Sequence, residues 1–219
     1  SHTGTSTGLI SNAYRLARKI ALNNKRKTIS RYQQPGNLLD IGCGTGEFLQ
    51  HMAANNWQVY GVEPSKEART KALELNPNRI VSELNLVTEN HFDVITLWHV
   101  LEHLPDLDQQ LTWMKNHIHT NGTIFVAVPN HLAHDAQQYQ ATWAGYDVPR
   151  HLWHFNRQSM TQLVTKHDLK IREITPMPLD SYYVSMLSEK YLEKPSVVSY
   201  INGIRSGFIS NQKAKMTGE

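Results

Sequence analysis

The run Leu38-Leu39-Asp40-Ile41-Gly42-Cys43-Gly44-Thr45-Gly46-Glu47-Phe48-Leu49 constrains this chain more than any other stretch. Leu38, Leu39 and Ile41 form the short apolar run of a buried strand. Gly42, Gly44 and Gly46 follow at alternate positions, and backbone without a Cβ can turn tightly and come close to a ligand. Phe48, Leu49, Met52 and Ala53 then fall on one helical face. That helix starts with free N–H groups directed at whatever lies over the turn.

Two cofactor classes use such a turn. A dinucleotide site asks for G-x-G-x-x-G, with the third glycine letting helix and strand pack closely. Here the spacing is G-x-G-x-G, and Glu47 stands where that third glycine would fall. An acid at that place would face a pyrophosphate unfavourably. The stretch instead resembles the first motif of the class I S-adenosylmethionine-dependent methyltransferases, D-x-G-C-G-T-G, which Asp40 to Gly46 match at every fixed position. The resemblance implies a Rossmann-like α/β fold, a doubly wound, mostly parallel sheet with helices on both faces. It also implies S-adenosylmethionine as cofactor, held around Asp40, Gly42, Cys43, Gly44 and Gly46.

At 219 residues the chain has room for one domain with a sizeable core and a small appendage. A formal charge of +3 is mild and gives no reason to expect a nucleic-acid partner. The single cysteine, Cys43, excludes an internal disulfide framework and a Cys-based zinc site, and fits a reducing, cytoplasmic location. No apolar run reaches membrane-spanning length and the start is not signal-like. The chain opens on Ser1-His2-Thr3-Gly4 and closes on Met216-Thr217-Gly218-Glu219, as a piece of a longer protein would. Nothing in the sequence speaks to an oligomeric state.

Taken in order, residues 9–23 read as an amphipathic helix with Leu9, Ile10, Ala13, Leu16, Ala17, Ile20 and Ala21 on one face. Arg15, Arg18, Lys19, Lys25, Arg26 and Lys27 crowd the other face and the end. They read as a solvated face with cations near a helix C-terminus; the alternative is a patch for an acidic substrate or RNA. A second strand, Gln58 to Val62, ends at Glu63-Pro64-Ser65. A carboxylate there can accept from both ribose hydroxyls of a nucleoside, in dinucleotide and methyltransferase folds alike. Ser65 caps a helix with Ala68, Ala72 and Leu73 inward, stopped by Asn76-Pro77. A third strand runs from Arg79 to Leu84, and Glu83, Leu84 and Asn85 are its adenine-side candidates.

Phe92 to Trp98 is a fourth strand and leads into His99-Val100-Leu101-Glu102-His103-Leu104-Pro105. A helix is expected over Asp106 to Asn121, ended by Asn121-Gly122, and a fifth strand over Thr123 to Val128. Strands alternating with helices predict a parallel sheet that binds ligands at its carboxyl ends, which Gly42, Glu63, Trp98 and Pro129 mark. Residues 130–156 break the pattern with five aromatics and four histidines, and read as a lid. Asn156 caps a further helix with Met160, Leu163 and Val164 inward. Leu169 to Met177 reads as a sixth strand, and no seventh is evident; residues 181–209 look helical, with Pro195 opening a second segment. The expected organisation is a helical cap over 1–34, the binding domain over 35–178 and a helical extension over 179–219.

The run F-D-V-I-x-x-x-H-V-L-E-H-L-P-D resembles small-molecule methyltransferases of the ubiquinone and menaquinone biosynthesis type. Pro149-Arg150-His151-Leu152-Trp153-His154-Phe155 resembles a P-x-H-L-x-x-F segment of the subgroup catalogued as domain family 23. The resemblance implies Trp98 and His99 against the cofactor, with Glu63, Pro64, Ser65 and Leu84 also binding it. The acceptor is then a small molecule. Asn/Asp-Pro-Pro-Tyr/Phe is absent, which argues against an amino group on a base or glutamine. Methyl transfer to a hydroxyl wants a base, and the candidates are His103, His154, His151 and His99, with Arg150 beside them. Glu102 and His103 are an incomplete metal shell, so no metal is assigned. The competing readings are a nicotinamide oxidoreductase, a cofactor-binding module without catalysis, and an RNA-directed methyltransferase.

Overall fold

The structure is a computed structural model that describes residues 4–217 apart from Asn78, Asn90 and residues 193–195. The chain divides into two compact units, Ser1–Trp98 with Asn116–Val126, and His99–Lys115 with Ala127–Glu219.

The first unit carries the sheet. Its elements are α1 (Gly4–Ser30), β1 (Asn37–Ile41), α2 (Glu47–Ala53), β2 (Gln58–Val62), α3 (Lys66–Leu75), β3 (Ile80–Val81), β4 (Phe92–Trp98) and most of β5 (Ile118–Ala127). The strand order is β3-β2-β1-β4-β5. β1 pairs in parallel with β2 and with β4, and β2 with β3. A parallel strand with neighbours on both sides is covered on both faces, which is why Leu38 to Ile41 of β1 are all buried rather than alternately exposed, Asp40 included. Leu38 and Leu39 are fully buried, as are Leu49 and Met52 of α2 and Val94 and Ile95 of β4. Each such side chain contributes roughly 1.5–3 kcal/mol of burial.

Several boundaries differ from the sequence reading. α1 runs on to Ser30, because nothing breaks it before the Pro35-Gly36 turn, and it buries Ile29 at its end. β3 is only Ile80–Val81, and Leu84 lies in a 3-10 turn, Leu84–Leu86. Ala72 is buried as expected, but Leu73 is exposed. The helix expected over 106–121 stops at His117, and Ile118 to Gly122 join β5. Ile118, His119, Thr120 and Asn121 are all weak helix formers, and Gln33 donates to the Asn121 carbonyl and the Thr123 hydroxyl from outside.

The second unit holds α4 (Leu107–His117, through Lys115), α5 (His134–Tyr139), α6 (Arg157–Lys166), α7 (Pro178–Tyr191) and α8 (Ser196–Thr217). Asn156 caps α6 in a reciprocal box with Ser159. Met160, Leu163 and Val164 are only half-buried. The sixth strand is not formed: Leu169 to Met177 has no regular structure and lies largely exposed. Asp168 enters it at φ 55°, and Pro176 and Pro178 lack the N–H that a ladder needs. Pro195 lies outside the described residues.

Part of the segment read as a lid is buried. Ala136, Tyr139 and Trp143 form a buried cluster, and Phe155 is buried as well. α7 and α8 pack closely because Gly203 and Gly207 leave room for Met186 and Tyr182. Several polar groups buried at this seam are hydrogen-bonded. Ser210 and the Trp143 indole donate to the two oxygens of Asp135, each at 3.0 Å, and Ser185 pairs with Ser206 at 3.4 Å. Among the described residues no helix is long and apolar enough to cross a membrane.

Candidate active site

The glycine turn and its neighbours form a cradle in the first unit. The Gly42 and Cys43 N–H groups bond the Val62 carbonyl at 2.8 and 3.1 Å, which ties the turn to the end of β2. Gly42, Gly44 and Gly46 have φ of 73°, 56° and 78°, the left-handed region that favours glycine. Gly44 and Gly46 serve different ends. A Cβ on Gly46 would stand 2.9 Å from the Ala72 Cα, so this glycine permits α2 to approach α3. A Cβ on Gly44 would meet nothing within 4 Å, so the turn is open there.

Glu63 ends β2 and is 9% exposed. Its Oε2 accepts from the Gly44 N–H and its Oε1 from the Ser65 N–H, both at 2.8 Å. A carboxylate has about four lone-pair sites, so two remain for donors of a ligand. Ser65 caps α3 through its side chain, and Pro64 is exposed beside it. Leu84 is half-buried. Asp40 lies beneath the turn, where burial pushes its carboxyl up to about 7 despite the hydrogen bond that Thr96 donates. Burial likewise pushes the Cys43 thiol up to about 12, so it stays a neutral thiol.

β1 and β4 are in register with Ile41 opposite Leu97, which brings Trp98 to the level of Gly42. The Trp98 indole N–H is buried with no partner among the described residues. Open space at Gly44, a carboxylate with accepting capacity and an orphaned indole N–H fit a ligand that carries a ribose and polar atoms.

The second unit opens with His99, at φ 58°, an uncommon conformation of the kind held at functional sites. Its Nε2 meets Asp180 Oδ2 at 2.9 Å and its Nδ1 lies 3.7 Å from Glu102 Oε1. Burial pulls the imidazole down, but Asp180 and Glu102 together outweigh it and hold His99 at about 9. His99 is therefore held as an imidazolium at neutral pH.

Glu102 is fully buried, and neither carboxylate oxygen has a hydrogen-bond partner among the described residues. His103 and His151 stand around it, with rings 4.6 Å apart. His103 Nδ1 bonds the Arg150 carbonyl at 3.0 Å and His151 Nδ1 the Gly145 carbonyl at 2.9 Å. A carbonyl only accepts, so Nδ1 carries a proton in both rings, and in a neutral ring the lone pair is then on Nε2. Burial, with His103 nearby, lowers His151, which is thus neutral. One ligand atom from each of Glu102, His103 and His151 lies within 4.8 Å of the others. The shell read from the sequence as Glu102 and His103 alone gains a third member.

His154 bonds the Tyr146 carbonyl at 3.1 Å and packs on the Tyr146 ring. Arg150 is paired with Asp147 at 2.6 Å and its side chain is 74% exposed. Sequence reasoning missed Asp180, which lies in a stretch without a motif, and Lys25, which it placed on a solvated face.

Asp180→Asn should lower the His99 pKa by about one unit or more, read by NMR titration of the ring. The sign for stability follows from the raised value: the pair's contribution is complete below about pH 6.5 and is lost as pH rises through about 9. A His99 titration unaltered by the substitution would mean that Asp180 does not hold it.

A family model described as a methyltransferase domain matches residues 12–174. An uncharacterised methyltransferase of Alkaliphilus oremlandii is 30% identical over 100 residues, 43% of this chain and 46% of that protein. The ubiquinone biosynthesis O-methyltransferase of Aeromonas salmonicida is 32% identical over 102 residues, 42% of this chain and 43% of that one. The chain thus spans about half the length of the curated relatives it matches. The YcgJ protein of Bacillus subtilis shares the fold, with a TM-score of 0.57 at 16% identity over 84% of this chain and 83% of that one. So does the phosphoethanolamine N-methyltransferase 2 of Haemonchus contortus, solved with S-adenosyl-L-methionine, with a TM-score of 0.56 at 20% identity over 88% and 49% of the two chains.

Proposed function

Because this chain belongs to the methyltransferase domain family, we propose that it transfers a methyl group from S-adenosylmethionine to an oxygen or carbon nucleophile of a small molecule. The observation that carries this reading is the Glu63 carboxylate, fixed by two backbone N–H groups next to an open glycine turn. Gly42 and Gly44 let the cofactor approach the backbone, Gly46 lets the helix behind the turn pack closely, Glu63 accepts from its ribose, Leu84 borders its base, and Trp98 stands at its reactive end. The cofactor supplies a methyl group on a cationic sulfonium, which is a neutral thioether once the methyl has gone to the acceptor. Holding acceptor and donor in line is the enzyme's main task and is worth roughly 7–11 kcal/mol.

His103 is the base of this mechanism. It is exposed, its Nδ1–H is held by the Arg150 carbonyl, and its Nε2 lone pair is available. It takes the acceptor's proton, and the buried Glu102 stabilises the resulting imidazolium. His99 stays charged and orients Glu102, and His151 supports the pair from behind. A second reading rests on the convergence of Glu102, His103 and His151: the same three groups would hold a divalent cation that lowers the pKa of an acceptor hydroxyl.

S-adenosylhomocysteine at about 100 times its dissociation constant should raise the unfolding midpoint by about 5–10 °C, and NAD should not. With a methyl-labelled donor, label should pass to catechol rather than to tRNA. Loss of that transfer on chelation, with recovery on adding Mg²⁺ or Zn²⁺, selects the metal reading. A shift with NAD alone, or label on tRNA alone, would refute the assignment.

A further inference from the structure

Lys25 belongs to α1, yet its ammonium does not sit in bulk solvent. Its Nζ lies 4.5 Å from the centre of the Trp98 ring and 5.8 Å from that of Phe48. The two rings meet edge to face, 5.8 Å apart at 80°. An aromatic face at this distance attracts a cation through its quadrupole. Trp98 ends β4 at the level of Gly42, so this cation stands at the carboxyl ends of the strands, where parallel sheets bind ligands. Lys25 also acts electrostatically on the buried Asp40 of β1. Arg18, on the same helix, is paired with Glu47 at 2.6 Å, which fixes α1 along the start of α2.

We infer that the Trp98–Phe48 pair is the seat of the cationic end of the methyl donor, and that Lys25 is its resident competitor. This rests on the S-adenosylmethionine assignment above. Two cations cannot share one ring face at contact distance, because they repel and only one can lie over the quadrupole. Lys25 therefore moves aside for a cationic ligand and keeps its place beside a neutral one. The residue sets the balance between the charged donor and its uncharged product: it weakens the first relative to the second. Lys25 is thus a specificity-determining residue for the charge of the ligand, a role distinct from gripping any group that donor and product share.

The test is calorimetric, on the full chain, with sinefungin and S-adenosylhomocysteine. Sinefungin carries an amine that is cationic at neutral pH where the homocysteine compound has a neutral sulfur. Lys25→Met keeps the apolar stem and removes the charge. The ratio of the S-adenosylhomocysteine Kd to the sinefungin Kd should rise about tenfold in this variant. Trp98→Leu removes the seat, and the ratio should fall below that of the native chain. If Lys25→Met weakens both ligands equally and leaves the ratio unchanged, Lys25 grips their shared carboxylate and the inference is overturned. A ratio that does not fall in a folded Trp98→Leu overturns it as well. A native chain that binds neither compound would overturn the cofactor assignment itself, a different result from an unchanged ratio.

Discussion

Exchanging Glu102 for glutamine should lower methyl transfer by about 10²–10⁴-fold, the range that a general acid–base contribution spans. Glutamine matches the size of the buried side chain, so packing is kept and only the charge is lost. Without that charge the imidazolium of His103 has no counterion, and His99 loses one of the two carboxylates that hold it. Affinity for S-adenosylhomocysteine should be unchanged, because the cradle is built from other residues. A second readout separates a chemical role from a structural one. Glu102 raises His151 against the pull of burial, so the His151 pKa should fall further in the variant, as seen by NMR. Full activity in Glu102→Gln, with His151 titrating as in the native chain, would remove Glu102 from the mechanism.

Glu63→Gln is expected to weaken S-adenosylhomocysteine by about 100-fold, equivalent to about 2.7 kcal/mol. The change is conservative in volume and not in hydrogen bonding. Both carboxylate oxygens accept from backbone N–H groups, of Gly44 and of Ser65. A carboxamide has one oxygen, so its NH2 must face one of those N–H groups, donor against donor. The turn loses an anchor and the ribose loses a charged acceptor at once. Calorimetry measures the affinity, and thermal unfolding without ligand reports how far the turn itself has loosened. Native affinity in this variant would show that Glu63 holds the turn alone and does not touch the ligand.

The parts of this chain that are readable without a structure are those in which local chemistry and tertiary need agree. Phe92 to Trp98 is apolar and β-branched enough to be a strand anywhere, and it is one here. Ser65 and Asn156 are caps by their own side chains, and both cap. The reading fails where the deciding partner is remote in sequence. Leu169 to Met177 alternates like a strand but ends in two prolines. Ile118 to Gly122 continues a helical pattern, yet bonds from Gln33 draw its backbone into the sheet. The aromatics of 130–156 mark a special segment, but only the structure shows that Tyr139 and Trp143 are buried together. The glycine motif and the histidines announce the site. The charge on His99 is not legible in the sequence, because protonation depends on what faces the ring, and Asp180 faces it from 81 positions away.

The α7–α8 seam has a bearing on that same histidine. An apolar seam tolerates slippage, since one methyl replaces another at little loss. This seam is indexed by discrete polar bonds. Ser185 meets Ser206, Ser181 donates to the Gly207 carbonyl at 3.3 Å, and Asn211 donates to that of Pro178 at 3.0 Å. Two of those anchors, Pro178 and Ser181, flank Asp180. A slip of one residue would shift an α-helical side chain by about 1.5 Å and swing it through about 100°. Such a slip would carry the Asp180 carboxylate off the His99 ring. The serines of a distant hairpin thus act as a vernier, and the charge state of the residue after β4 is calibrated by them.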